Sequence, residues 1–265
     1  MHTERALLIA SFGTTVPAAE QDIAAVEAAL AAAAPGWTPA RAYTSGMVRR
    51  ALAERGQQVD GVPDALEKLR AAGVREVFVQ PTHLLNGAEY QKLRAEALAA
   101  APGFAKLRVG LPLLDGSCTE NYLALSAILE KLYPAREGEA VVLMGHGAKG
   151  KHKANAAYTS LQVMLELARV RNIWIGTVEG WPTFEEIHSR LGGCRGLRRI
   201  RLAPLMLCAG DHALHDMAGD GPDSWKSILA ADGYEVECVM QGLGSQPQVQ
   251  ALYAYHLNNQ LEGRL

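Results

Sequence analysis

Leu202-Ala-Pro-Leu-Met-Leu-Cys-Ala-Gly-Asp-His-Ala-Leu-His-Asp-Met217 opens as an apolar run, meets a proline, breaks at Ala209-Gly210 and then sets Asp211, His212, His215 and Asp216 together. A buried strand that breaks at small residues and feeds a helix leaves its polar residues at the strand's carboxyl end. In open α/β sheets that edge is where ligands bind. His212 and His215 are three apart, so on a helix they share a face. Imidazoles beside carboxylates suit a borderline divalent metal. The bland alternative is that the histidines only cap or solvate a helix start, and His215 fits that description better than His212.

A second stretch, Val77-Phe-Val-Gln-Pro-Thr-His-Leu-Leu-Asn-Gly-Ala-Glu-Tyr90, follows the same plan. Laying Pro81 on Pro204 without gaps puts Glu89 on His212. The chain therefore reads as two copies of one unit, with a carboxylate in one copy where the other has an imidazole. Other pieces agree. Leu-Leu-Ile-Ala-Ser-Phe-Gly13 resembles Val-Val-Leu-Met-Gly-His-Gly147, which sets Phe12 opposite His146. Tyr-Thr-Ser-Gly46 matches Thr-Val-Glu-Gly180, which sets Ser45 opposite Glu179.

Between these landmarks apolar runs alternate with helical patterns. Strands are expected at Arg5 to Ser11, Trp37 to Tyr43, Val74 to Gln80 and Lys106 to Leu111. They recur at Ala140 to Met144, Asn172 to Val178, Leu197 to Leu207 and Tyr234 to Met240. Alternation of this kind predicts βαβ units and mostly parallel sheets. The fold class is thus α/β, with two similar domains related by pseudo-two-fold symmetry and a cleft between facing sheet edges. The expected boundaries are 1–118 and 119–265, with helices at 119–132 and 246–261 bridging the two.

Composition narrows the function. The 265 residues are 49% hydrophobic and 20% charged, with a net charge of −2. That describes a globular protein with a real core and no electrostatic bid for nucleic acid. No run reaches the roughly 18 apolar residues of a membrane span, and Ala6 to Ala10 reads as a strand and not a signal peptide. The cysteines, Cys118, Cys194, Cys208 and Cys238, form no Cys-x-x-Cys pair, which points to free, mostly buried thiols in a reducing cytoplasm.

The polar residues that follow strands are His146, Glu179 and His212 in the second half and Glu89 in the first. Two imidazoles with one or two carboxylates suit Co2+, Fe2+, Ni2+ or Zn2+ with an open coordination position. They also supply acid–base groups near neutral pH. Glu179 and Glu89 have a competing use as carboxylates at helix starts. Lys149, Lys151, His152 and Lys153 crowd the loop after His146; such a loop is ordinarily a solvated surface, and beside a metal site it can also hold an acidic ligand. Phe12, Ser45 and His83 are further candidates for substrate contact, although His83 has the bland alternative of bonding backbone after Pro81. A phosphoryl-transfer enzyme working through a histidine is a poor fit, because no Arg precedes His146-Gly147.

At these residues the sequence resembles the anaerobic-pathway cobalt chelatases, the sirohydrochlorin cobaltochelatases of the class II chelatase superfamily. The matching pieces are Gln80 to Tyr90, Met144-Gly-His-Gly147, Val178-Glu-Gly-Trp-Pro182, Pro204 to Met217, Asp223-Ser-Trp-Lys226 and Gly242-Leu-Gly-Ser-Gln-Pro247. The resemblance implies two pseudo-symmetric α/β domains and ATP-independent insertion of Co2+ into the tetrapyrrole sirohydrochlorin on the route to cobalamin. It implies catalysis by His146, Glu89 and His212, with metal binding by His146, Glu179 and His212. No permanent cofactor is implied: Co2+ is a substrate, with Fe2+ for sirohaem as the alternative metal and a non-catalytic metal or tetrapyrrole binder as the alternative class. No nucleic-acid or membrane partner is expected, and a homo-oligomer is compatible. The basic loop Ala148-Lys-Gly-Lys-His-Lys153 is longer than the family leads one to expect, and nothing carries over the haem binding of exported relatives.

Overall fold

A computed structural model describes residues 4–149 and 153–265. Two compact units emerge, one of residues 1–118 with 250–265, the other of residues 119–249. Each is taken by itself.

The first unit runs β1 (Arg5–Ser11), α1 (Pro17–Ala33), β2 (Thr38–Tyr43), α2 (Gly46–Glu54), α3 (Val62–Ala71), β3 (Glu76–Pro81), α4 (Ala88–Ala100) and β4 (Lys106–Val109). The second runs α5 (Thr119–Leu132), β5 (Glu139–Gly145), α6 (Ala156–Leu167), β6 (Ile173–Thr177), α7 (Phe184–Gly192), β7 (Arg199–Pro204), α8 (Trp225–Ala231) and β8 (Glu235–Cys238). The closing helix, α9 (Pro247–Leu261), has its residues from Gln250 onward in the first unit. That differs from the expected 119–265 grouping.

Each unit holds one four-stranded parallel sheet, and the orders correspond: β2-β1-β3-β4 and β6-β5-β7-β8. The registers correspond too, with Ala10 opposite Pro81 in one and Met144 opposite Pro204 in the other. Strands buried on both faces read as continuous apolar runs. Accordingly Leu7, Leu8, Val141, Val142 and Leu143 are all 0% exposed. In the first unit Leu8, Ala10, Val77 and Val79 pack with Leu66, Leu93 and Ala97; in the second Val142, Met144 and Leu202 pack with Ile187, Leu191, Trp225 and Leu229. Helix starts are chemically marked: Ser45 Oγ accepts the Val48 N–H, and Thr183 with Glu186 forms a capping box on α7. No helix among the described residues is long and apolar enough to cross a membrane.

Helix α9 is held to the first sheet by polar contacts of very long sequence range. The Tyr253 hydroxyl donates to the Thr82 carbonyl at 2.7 Å, His256 Nε2 donates to the Leu111 carbonyl at 3.0 Å, and Gln260 Nε2 donates to Gln80 Oε1 at 3.3 Å. Gln80 and His256 are fully buried, so these bonds satisfy groups that water cannot reach.

Two predictions follow from this layer. Tyr253→Phe leaves the Thr82 carbonyl short of a donor and is expected to lower the unfolding free energy in urea by about 1–2 kcal/mol; an unchanged midpoint would show that the bond contributes nothing net. The second concerns His83, whose buried Nδ1 has no partner and whose Nε2 lies 3.5 Å from Thr44 Oγ1. Burial pushes its pKa from 6.5 down to about 4. Between those two values the unfolded chain takes up a proton that the folded chain refuses, so stability falls as pH drops through that window. Burial lowers the pKa of His256 as well, so it acts in the same direction. His83→Gln is expected to remove about 1–3 kcal/mol of the stability lost between about pH 7 and about pH 4.5, measured by urea unfolding at each pH. A slope identical to the wild type's would assign the acid sensitivity to other groups.

Candidate metal-handling site

The second unit gathers its chemistry at the carboxyl ends of β5, β6 and β7. His146 stands one residue past β5. The parallel ladder continues into the loops: Val178 N–H donates to the Gly145 carbonyl at 3.0 Å and Glu179 N–H to the His146 carbonyl at 2.9 Å. Gly147, at φ +79°, then turns the chain, and a Cβ there would lie 2.6 Å from the Gly180 nitrogen. Only glycine meets both conditions without displacing backbone. Asn155 ties the next step down, its Oδ1 accepting from Ala148 N–H at 2.9 Å and its Nδ2 donating to the Ala148 carbonyl at 2.9 Å.

His212 arrives from β7. Leu205 N–H donates to the Met144 carbonyl at 2.7 Å, the chain passes the Ala209-Gly210 break, and a π-helical turn spans Ala213–Met217. Wide turns of this kind recur at functional sites. The His146 and His212 rings meet edge to face, with centroids 4.6 Å apart and planes at 87°.

The hydrogen bonds settle how the rings are used. A carbonyl oxygen and a carboxylate accept; they do not donate. His146 Nδ1 lies 2.9 Å from the Gly147 carbonyl, and His212 Nδ1 lies 2.7 Å from Asp216 Oδ2. Both therefore carry their proton on Nδ1 and leave the Nε2 lone pair for a cation or a proton. A carboxylate behind a ligating imidazole is a common metal-site support. Asp216 was not singled out as a site residue from the sequence, although its spacing of four from His212 was there to be read.

Glu179 is brought beside His146 through the backbone, while its carboxylate lies 3.5 Å from Lys149 Nζ. Lys149 is 84% exposed, and exposed pairs of this sort contribute about 0–1 kcal/mol. Among the described residues no group of three or more His, Cys, Asp or Glu side chains is gathered closely enough to hold a metal ion. The imidazole pair is thus assembled, with Glu179 adjoining it but engaged by a lysine. His215 Nδ1 turns back to the Asp211 carbonyl at 3.1 Å and its side chain is 71% exposed, a local helix role. Lys151 lies outside the described residues, as does His152.

In the first unit the same backbone positions carry different side chains. Ser45 N–H donates to the Phe12 carbonyl at 3.2 Å, the counterpart of the bond from Glu179 to His146. Phe12 is half exposed, and Ser45 is spent on the α2 cap. Glu89 sits in the first turn of α4, its Oε2 buried without a hydrogen bond and 3.8 Å from Lys92 Nζ. Lys92 itself donates to the Thr44 carbonyl at 2.9 Å, and Thr44 is the residue against His83.

Comparison with known proteins gives the family of the chain. The family model described as Cobalt chelatase (CbiK) matches residues 5–262. The sirohydrochlorin cobaltochelatase of Salmonella typhimurium is 40% identical over 261 residues, 97% of each chain. The sirohydrochlorin cobaltochelatase CbiKC of Nitratidesulfovibrio vulgaris is 35% identical over 96% of this chain and 90% of its own. In fold, the chain is similar to SirB from Bacillus subtilis with Fe3+, at a TM-score of 0.68 and 17% identity over 98% of both chains. With a matched model spanning nearly every residue and relatives this similar over their full length, the chain belongs to the CbiK cobalt chelatase family.

Proposed function

We propose that the protein is a sirohydrochlorin cobaltochelatase, inserting Co2+ into sirohydrochlorin without ATP. The observation that carries this reading is the pair of imidazoles in contact at one sheet edge, each with Nδ1 tied back and Nε2 left over, in a chain of the cobalt chelatase family.

The reaction exchanges ions. Co2+ enters the macrocycle and two pyrrole N–H protons leave, so the site must hold the cation loosely and accept protons. Imidazole Nε2 atoms do both: they ligate a late divalent metal, and once it has gone they take a proton. In this reading His146 and His212 present Co2+, Glu179 joins them by leaving Lys149, and Glu89 takes part in proton or metal handling. Lys149 and Lys151 meet the carboxylates of the substrate, with Phe12, Ser45 and His83 as further contacts. The reaction is placed in the cytoplasm, and Co2+ is consumed as a substrate, so no resident cofactor is called for.

The test mixes purified protein, sirohydrochlorin and Co2+ without air or ATP and follows the change in macrocycle absorbance. An initial rate well above the spontaneous one is expected; equality with it would leave only a binding protein. His146→Ala and His212→Ala are each expected to lower turnover by about 10²-fold or more while melting stays near that of the wild type. Near-normal turnover in either would remove that imidazole from the mechanism. Asp216→Ala leaves the His212 ring free to rotate and change tautomer, and is expected to weaken Co2+ binding by about 10–100-fold. Titration of the protein with Co2+ alone measures it, and an unaltered affinity would show that the Asp216 bond does not tune the ligand.

A further inference from the structure

Trp181 occupies an unusual position. It follows Glu179-Gly180 in the β6–α7 loop, and its side chain is 49% exposed. A large aromatic left this open is not explained by the core of the unit. Nor is it loose. The indole Nε1 donates to Glu186 Oε1 at 2.7 Å. Glu186 Oε2 accepts the Thr183 N–H at 2.8 Å, and Thr183 Oγ1 accepts the Glu186 N–H at 3.3 Å. The anchor of the indole is therefore the capping box of α7, one of the more rigid local devices a helix start offers. The base of the loop is closed as well: the Pro182 carbonyl accepts both the Thr177 N–H at 2.8 Å and the Thr177 hydroxyl at 2.9 Å. These bonds hold an exposed indole in one orientation before anything binds.

Strand order supplies the second observation. Along the carboxyl edge β6-β5-β7-β8, the loop of Trp181 comes first, then that of His146, then that of His212 and Leu214, then that of Met240. Leu214 is 40% exposed and Met240 39%. Loops that carry water-exposed apolar residues thus flank the loop of His146 in strand order along a single edge. A flat, conjugated ring that must bring its centre to two imidazoles would cover such flanks.

We propose that Trp181 is a substrate-contacting residue whose preset indole packs against the face of the tetrapyrrole, and that Glu186 is a positioning residue which fixes the plane of that indole. The inference rests on the chelatase reading above and names the surface that holds the macrocycle while the imidazoles handle the metal.

The experiment titrates metal-free sirohydrochlorin, in the absence of air and Co2+, into wild type, Trp181→Ala, Trp181→Phe, Glu186→Gln and the Trp181→Phe/Glu186→Gln double variant, and repeats the steady-state assay on each. Loss of one stacked aromatic is worth roughly 1–3 kcal/mol, so Trp181→Ala is expected to weaken macrocycle binding about 5- to 160-fold, with the loss falling on KM more than on kcat. Trp181→Phe restores most of it. Gln at 186 can still cap α7 but holds the indole less firmly, so Glu186→Gln weakens binding when Trp181 is present and not in the Trp181→Phe background. That coupling is a result a merely structural role would not give. Should Trp181→Ala fail to fold, the Phe and Gln variants decide by the same coupling. Wild-type-like macrocycle binding in Trp181→Ala, or equal effects of Glu186→Gln in both backgrounds, overturns the inference while leaving the chelatase reading in place. A wild type that neither binds nor metallates sirohydrochlorin overturns that reading and this inference with it.

Discussion

The placement of the imidazole in the second unit depends on the β5–β6 ladder running on past the strands, through the bonds from Val178 N–H to the Gly145 carbonyl and from Glu179 N–H to the His146 carbonyl. A loop past the end of a parallel strand has no ladder to satisfy its peptide groups, and loops with spare donors wander. Here the pairing of β5 with β6 continues past the strands, so the loop that carries the imidazole and the loop that carries the carboxylate are fixed to one another. The close approach is what forbids side chains at Gly147 and Gly180: a Cβ on Gly180 would lie 2.5 Å from Asn155 Oδ1. Asn155 in turn grips Ala148. Sheet pairing, two glycines and one asparagine therefore place His146 with main-chain precision, and the chemistry of the imidazole is left free of structural duty except at Nδ1.

The duplicated backbone makes the difference between the units informative. Both use the same strand order, the same register at the proline of the third strand and the same loop-to-loop bond. Yet where the second unit has His146 and Glu179, the first has Phe12 and Ser45. Ser45 is consumed by capping α2, whereas in the second unit the cap of α7 falls to Thr183, some way further along. With the cap of α7 further down the loop, the Glu179 carboxylate is not needed to cap the helix. The first unit spends its polar residues on α9: Gln80 and Thr82 meet Gln260 and Tyr253. The second unit's sheet edge carries the imidazole pair, while the first unit's also docks the closing helix.

What the sequence made legible follows the same physics. Strands buried on both faces announce themselves as apolar runs that stop at glycine or proline, so β1, β3, β5 and β7 and the residues just beyond them could be found, and the pairing of Phe12 with His146 and of Ser45 with Glu179 could be read from short matches. Where the reading fell short, the cause is contact between distant segments. The strand expected over Leu197 to Leu207 ends at Pro204, because the Met206 and Leu207 carbonyls accept from Leu243 and Gly244, a pairing no local pattern reveals. Residues 250–265, expected at the end of the C-terminal domain and largely within a helix bridging the two, group with the first unit through bonds to Thr82, Leu111 and Gln80, which no periodicity encodes. The engagement of Glu179 by Lys149 is likewise a matter of loop geometry: the sequence showed a basic loop and an acid, and nothing to say they would meet.

That ion pair bears on how a chelatase can let go of its metal. An enzyme that delivers a cation gains nothing from a deep metal well, since every increment of affinity in the loaded state adds to the barrier of transfer. Two imidazoles held in one tautomer give a directional but modest grip. If Glu179 joins them, as proposed, it must first leave Lys149, so it adds to that grip only in part. Because Lys149 is so exposed, displacing it costs about 0–1 kcal/mol, small enough that the ion pair does not bar Co2+ from Glu179 on the proposed reading. On the proposed reading, the arrangement around Glu179 suits a transient carrier of cobalt better than a storage site, while the Asp216 carboxylate is engaged by the His212 ring.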